Sequence, residues 1–551
     1  MYQRGIAAPQ PCAFVAAHLE NKMLNRPMYL KPNVALEPLY NQWYVWWYLL
    51  SPATAPLFVT NLHQKLMQSF VANPDVHVAA LKNPLLMGGP FINHPASRAP
   101  QVKELLERTQ REQAHMLAFT KAVAELEQLL APNNGGSLEA LYPKVPDLLR
   151  GYVELTYDLN NRANARFIEP LLYRSRFYQE SSQSVALMQV DGDWRPYIFS
   201  TPRLEEDMPL WLKVPYRHEG LDALFRMRHT PGSPGQVAEQ LGVPVSASGA
   251  FAALFTEEAP RRAERYSGEG VRVRYFGHAC VLLETKEVSI LTDPVISYEF
   301  PSELPRFTHS DLPEHIDYVI LTHGHADHLM METLIQLRHR VGTIIVPRNN
   351  GNSLADPSLR LMLHHTGFKS VVEIDDLQEL PIPGGSITGL PFLGEHSDLA
   401  IQAKTAHLVR LGGKSLLMAA DSNAIEPRLY QHLREVVGPI DVLFLGMECE
   451  GGPMSWMYGP LLSNPLPRKM DQARRLNGSD CARATEITTH LAPKEVYVYA
   501  MGQEPWLRHV MVLVYDDKTP QIVESNKFME HCRAKAIQAE RPYVRMERIL
   551  K

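Results

Sequence analysis

The segment that most narrows what this chain can fold into is Thr322-His323-Gly324-His325-Ala326-Asp327-His328, which follows directly on the apolar run Tyr318-Val319-Ile320-Leu321. A short continuous apolar run reads as a strand buried on both faces, so the polar cluster begins where that strand leaves its sheet. Three imidazoles and a carboxylate packed this closely are costly to bury unless each finds a partner, and metal ions satisfy several at once. Gly324 is expected to let the backbone turn sharply between two histidines. His323 and His325 then aim at one ion, and Asp327 and His328 at a second.

The texture around the motif is that of a layered α/β domain. Short β-branched runs recur at 271–276, 280–284, 289–292, 318–321 and 343–346, and later at 415–419, 441–445 and 496–499, with helical segments such as Pro427 to Val437 between them. Before residue 266 the texture differs. Val102, Leu105, Leu106, Met116, Phe119, Val123, Leu126 and Leu130 recur at helical spacing, which predicts one amphipathic helix over 101–130 that stops at the breaker cluster Pro132-Asn133-Asn134-Gly135-Gly136. Residues 190–265 mix Pro, Gly and charge as inter-domain connections do. The chain therefore divides into a largely helical α+β domain over 1–265 and an α/β domain over 266–551.

Bulk properties exclude several function classes. A formal net charge of −5 on 551 residues offers no surface for nucleic acid. The five cysteines (Cys12, Cys280, Cys449, Cys481 and Cys532) are scattered and form no CxxC pair, which argues against a disulfide framework and a thiolate zinc site and fits a reducing cytoplasm. No export signal is visible. The longest aromatic run, Trp43-Tyr44-Val45-Trp46-Trp47-Tyr48-Leu49-Leu50, is far shorter than the ~20 residues of a membrane helix and reads as core or interface packing.

Thr322 to His328 resembles the HxHxDH signature of the metallo-β-lactamase fold superfamily. Two further segments match in order: Ile290-Leu291-Thr292-Asp293-Pro294, similar to a strand ending in Asp-Pro, and Leu416-Leu417-Met418-Ala419-Ala420-Asp421, similar to a strand ending in a metal-bridging Asp. The resemblance implies an αββα sandwich over 266–551, with Asp421 between the two metals and Asp293 orienting a ligand by a hydrogen bond. Two positions depart from the hydrolase pattern. Where one more His is usual, Gly394-Glu395-His396-Ser397 offers both Glu395 and His396. Where the last His is usual, the chain reads Ala500-Met501-Gly502, leaving His490 on the preceding helix as a substitute.

A carboxylate-richer, more open site suits iron as well as zinc. The chain resembles over its whole length the di-iron β-hydroxylases of nonribosomal peptide biosynthesis, the branch that serves chloramphenicol, including the segments 457–462 and 474–480. This resemblance implies two iron ions held by His323, His325, Asp327, His328, Glu395 and Asp421, with dioxygen as co-substrate. It also implies an aminoacyl substrate on a carrier protein and a reductase that supplies electrons. Arg468, Lys469, Arg474 and Arg475 are candidates for docking an acidic carrier. The N-terminal domain would shape the substrate pocket or form a homodimer. The rival readings are a binuclear zinc hydrolase of a lactone, phosphodiester or amide, and a metal-binding scaffold.

Overall fold

The computed structural model describes residues 26–551 apart from 84, 85, 87 and 352, so Cys12 lies outside the described residues. From residue 271 onward the chain builds two seven-stranded sheets. The first has the order Val371–Ile374, Val341–Pro347, Ile316–Ile320, Ser289–Thr292, Cys280–Glu284, Val271–Gly277 and Met546–Leu550. The second runs Glu379–Ile382, Gly385–Leu390, Ala406–Leu411, Lys414–Met418, Val442–Gly446, Glu495–Tyr499 and Gln538–Glu540.

Successive side chains of a strand face opposite sides, and that alternation builds the layers. In the strand that leads into the motif, Ile320 enters the core between the sheets, with Ile290, Ile345, Ile387, Val409, Leu416 and Phe444. Its neighbours Val319 and Leu321 enter the core on the other face, with Leu334 and Leu363 of the helices Met331–Leu337 and Leu359–His365. The outer face of the second sheet is covered by helices Arg428–Val437, Cys481–Leu491 and Pro520–Ala534 through Leu433, Ile487 and Phe528. The result is helix, sheet, sheet, helix. The sheet-end loops of both sheets therefore meet at one edge, where the polar motif lies.

The N-terminal part has its own antiparallel sheet, in the order Trp43–Tyr44, Val34–Tyr40, Gln183–Gln189 and Leu210–Leu212. The single helix expected over 101–130 is two helices, Ala99–Glu112 and Ala114–Leu130. Gln113 breaks it, with φ −104° and ψ 22°, and its side chain donates to Ser182 Oγ at 3.1 Å. The apolar spacing carries across the break because both helices bury the same stripe.

The aromatic run 43–50 is buried throughout and joins the two halves, so it presents no aromatic face to a second copy. Tyr44 donates to Glu332 at 2.7 Å, and Tyr48 donates to the Ala355 carbonyl. Glu332 lies in the first turn of the helix after the motif and also pairs with Arg195 at 2.6 Å, while Arg195 and Arg203 both hold Glu37. Burial opposes ionisation of Glu37, but Arg203 and then Arg195 bring its carboxyl down to about 2. Cys280, Cys449, Cys481 and Cys532 are free thiols. Among the described residues no helix is long and apolar enough to cross a membrane.

Candidate metal centre

Three loops at the sheet edge bring six of the expected residues together. His323, His325, Glu395 and Asp421 converge as one group, and Asp327 and His328 join His278 in a second. His325 Nδ1 and His323 Nε2 lie 3.1 and 3.3 Å from Glu395 Oε2, and His323 Nε2 lies 3.4 Å from Asp421 Oδ2. Donors held about 2.1 Å from a common ion stand roughly 3.0–3.5 Å apart, which is the spacing found. Asp421 Oδ2 is also 2.9 Å from His328 Nε2, so its carboxylate faces both groups.

Each imidazole is oriented from behind. His328 Nδ1 donates to Asp293 Oδ2 at 2.8 Å, which leaves Nε2 as a lone pair facing Asp421. Asp293 also accepts from Thr322 N at 2.8 Å and Thr322 Oγ1 at 2.6 Å, and Thr322 Oγ1 in turn accepts from His323 Nδ1 at 3.0 Å. His325 donates through Nε2 to the Tyr458 hydroxyl at 2.8 Å, which frees Nδ1. Among the described residues, His323 Nε2, His328 Nε2 and Glu395 Oε2 are buried without a hydrogen-bond partner. Buried acceptors that face one another with no hydrogen between them fit a cation.

The charge balance points the same way. Burial, followed by the nearby Glu395 charge, raises the Asp421 carboxyl. Burial together with Asp327, Glu395 and Asp421 pushes Glu448 well above the ordinary carboxylate range. Glu448 follows the strand Val442–Gly446 and lines the same cavity as Asp327 and Glu395. Four acidic side chains gathered around three histidines call for positive charge between them. Strain is concentrated here as well. His278, Asp293, Glu395 and Ala420 have φ of 51°, 29°, 59° and 48°, a left-handed conformation that costs non-glycine residues about 1–2 kcal/mol each.

Other expectations are altered. Gly324 is not in the left-handed region. It is required because a Cβ there would lie 2.3 Å from Trp47 Nε1. His396 does not enter the donor group; it stacks on His325 with ring centres 4.6 Å apart, leaving Glu395 to face the histidines. His490 sits on the surface of the helix Cys481–Leu491, 3.7 Å from Glu486, and takes no part in the site. Arg474 donates to the Ser397 carbonyl at 2.8 Å and so steadies the Glu395 loop. Arg468 and Arg475 line the cavity that leads to the site, and Lys469 is exposed beside them.

His278 and Glu448 were not foreseen. His278 is the turn residue between Val271–Gly277 and Cys280–Glu284, and its Nε2 lies 2.9 Å from Asp327 Oδ2. Gly502 N donates to His278 Nδ1 at 3.1 Å and Ala500 N donates to the His278 carbonyl at 3.0 Å. The loop expected to lack a final His therefore grips this one. With Nδ1 accepting, the proton is on Nε2, and His278 donates to Asp327. Burial would raise Asp327, but His328 and this hydrogen bond hold its carboxyl far below the ordinary range.

Comparison with known proteins agrees with this geometry. Residues 29–260 match the family model of the diiron non-heme β-hydroxylase N-terminal domain, and 289–477 match that of a β-lactamase superfamily domain. The chain is 41% identical over 526 residues to the 4-amino-L-phenylalanyl-[CmlP-peptidyl-carrier-protein] 3-hydroxylase of Streptomyces venezuelae, covering 94% of this chain and 98% of that protein. The crystal structure of CmlA, a diiron β-hydroxylase from Streptomyces venezuelae, superposes with a TM-score of 0.89 at 40% identity, covering 96% of this chain and 100% of that one. A mutant of CmlA β-hydroxylase gives 0.86 at 39% identity, covering 95% and 100%. The carboxylate-rich site, the two-part architecture and the near full-length similarity together place this chain in the diiron non-heme β-hydroxylase family.

Proposed function

We propose that this chain uses dioxygen to hydroxylate the β-carbon of an amino acid held as a thioester on the carrier domain of a nonribosomal peptide synthetase. The observation that carries the reading is Glu395. It faces His323 and His325 at 3.3 and 3.1 Å at the place where binuclear hydrolases present a histidine, so the donor set is rich in carboxylate. His323, His325 and Glu395 would hold one iron, Asp327 and His328 the other, with Asp421 between them. Bound iron supplies the redox chemistry, with two electrons from a separate reductase.

The protein's own contribution is orientation and exclusion of water. Asp293, Thr322 and Tyr458 fix which nitrogen of each imidazole faces inward. The N-terminal domain walls a cavity of about 1340 Å³ that reaches His325, Asp327 and Glu395 and is lined by Trp43, Tyr44, Trp46 and Phe58. Its remaining walls are of mixed charge, Arg468, Arg475 and Lys518 beside Glu450, Asp471 and Asp516, and the basic three would meet an acidic carrier that delivers its tethered residue. The substrate of the Streptomyces venezuelae relative, an aminoacyl group on a peptidyl carrier protein, supports the same assignment.

The test is to reconstitute the apoprotein anaerobically with ferrous iron or with zinc, add a chemical reductant and air, and follow an aminoacyl carrier protein by mass. The iron form should yield a product one oxygen heavier, with the thioester intact. Thioester hydrolysis by the zinc form, with no oxygenation by the iron form, would overturn the proposal.

A further inference from the structure

One buried histidine in the cavity wall has no role in the metal centre. His63 ends the π-helical turn Val59–His63, which is inserted between the helical segments Ala55–Phe58 and Gln64–Ala72. A π-turn adds a residue to a helix and re-aims the side chains around it, and such turns recur at functional sites. This one is fixed at both sides: Thr60 bonds Thr120 at 3.1 Å, and Asn61 Nδ2 donates to the Pro460 carbonyl at 2.9 Å, two residues beyond Tyr458. The imidazole of His63 lies flat on the indole of Trp43, with ring centres 4.0 Å apart and planes 4° from parallel, and both rings line the cavity.

His63 is 4% exposed, yet its Nδ1 is buried with no hydrogen-bond partner among the described residues. Buried His77 behaves differently, bonding both Ser69 and the amide of Ile92. Trp43 Nε1 is likewise buried without a partner. Buried polar groups that stay unsatisfied in a well-packed wall ask for a ligand. Burial alone depresses the imidazole, to about 3, so the ring is neutral and offers one donor and one acceptor. No charged side chain perturbs it, so a charged ligand group there would be buried without a counter-ion. The surrounding wall, with Trp46, Phe58, Leu62, Leu66 and Phe199, fits a flat apolar ring.

We propose that His63 and Trp43 form the subsite that reads the side chain of the tethered amino acid, taking an aromatic ring that carries one uncharged hydrogen-bonding substituent. The proposal rests on the carrier-bound hydroxylase reading above. A phenol and an arylamine share this chemistry. The phenol both donates to a ring nitrogen and accepts from an N–H, whereas the arylamine chiefly donates.

The test uses the full-length iron-loaded enzyme and one carrier protein charged in turn with phenylalanyl, tyrosyl and 4-aminophenylalanyl groups. The wild type should hydroxylate the tyrosyl or the 4-aminophenylalanyl thioester with a kcat/KM about 10- to 100-fold above phenylalanyl, the discrimination expected of one buried hydrogen bond. His63→Phe should bring that ratio close to one at unchanged iron content, and His63→Gln, which keeps a donor and an acceptor, should retain most of it. The faster of the two substituted substrates identifies the substituent as hydroxyl or amine. Equal rates on all three thioesters by the wild type, or an intact preference in iron-replete His63→Phe, would overturn the subsite. An iron-replete wild type that oxygenates none of the three would instead count against the function itself.

Discussion

Gly324→Ala is expected to damage the metal centre without touching a ligand. A Cβ at this position would lie 2.3, 2.6 and 2.9 Å from Nε1, Cε2 and Cζ2 of Trp47, where ordinary contact begins at 3.4 Å. Roughly 1 Å of movement is needed, and Trp47 has little room to retreat: it is 2% exposed and its ring centre is 4.2 Å from that of Tyr48. The loop must therefore give way, and it carries His323 and His325 on either side of the glycine. Overpacking of this kind costs about 1–3 kcal/mol, and a ligand displaced beyond about 0.5 Å loses its geometry. Iron affinity should fall about 10- to 100-fold, the loss typical when ligand orientation is disturbed. Competition with a chromogenic chelator measures that affinity, and denaturant midpoints report the stability. Trp47→Ala should restore part of the iron affinity in the double variant, so the two changes should be non-additive by about 1–3 kcal/mol. Gly324→Ala binding iron as tightly as wild type, or strictly additive effects, would refute the steric account.

Three further outcomes follow from the same geometry. Asp293→Asn keeps the shape but replaces a carboxylate that accepts from Thr322 N, Thr322 Oγ1 and His328 Nδ1, so iron affinity should drop about 10- to 100-fold in the same chelator assay. Tyr458→Phe removes the acceptor of His325 Nε2 while keeping the ring against Tyr48, and it should weaken iron binding by about tenfold, with far-ultraviolet dichroism unchanged. Glu169, buried and aided by Asp356, has its carboxyl raised from 4.5 to about 7 even though it accepts from Ser358 N. A raised carboxyl binds its proton more tightly when folded, so this contribution is complete below pH 4.5 and is lost as pH rises through about 7, for a change of about 3 kcal/mol. Glu169→Gln should therefore gain stability over wild type at pH 8 and none at pH 4.5, as read from urea midpoints across that range.

How much of this was legible in the sequence depended on whether the signal was local. The strand Ile316–Ile320 and the ligand loop are contiguous, so one passage gave the sheet, its burial on both faces and most of the donors. Asp293 and Asp421 were readable because each ends a strand of the expected pattern. His278 was not: it is a lone histidine in a tight turn far upstream of the motif, and only the loop at Ala500 to Gly502 brings it to Asp327. Glu448 was missed because nothing distinguishes it locally from Glu450, two residues on.

The role of Gly324 was misread because its neighbour Trp47 lies in the other domain, and such contacts leave no trace in local spacing. The same holds for the aromatic run. It reads as packing, and most of it is packing, but Trp43, Tyr44 and Trp46 also wall the cavity. Helical spacing over 101–130 identified the buried stripe but not the break, which comes from the tertiary bond between Gln113 and Ser182.

Oxygen activation rather than hydrolysis is the chemistry proposed for the clustered His, Asp and Glu residues. The most direct measurement is a single turnover of the chemically reduced, iron-loaded enzyme with an aminoacyl carrier protein under isotopically labelled dioxygen, with mass spectrometry of the released amino acid. One labelled oxygen atom is expected on the β-carbon. Label that enters only from water, or a free unmodified amino acid from a cleaved thioester, would contradict it.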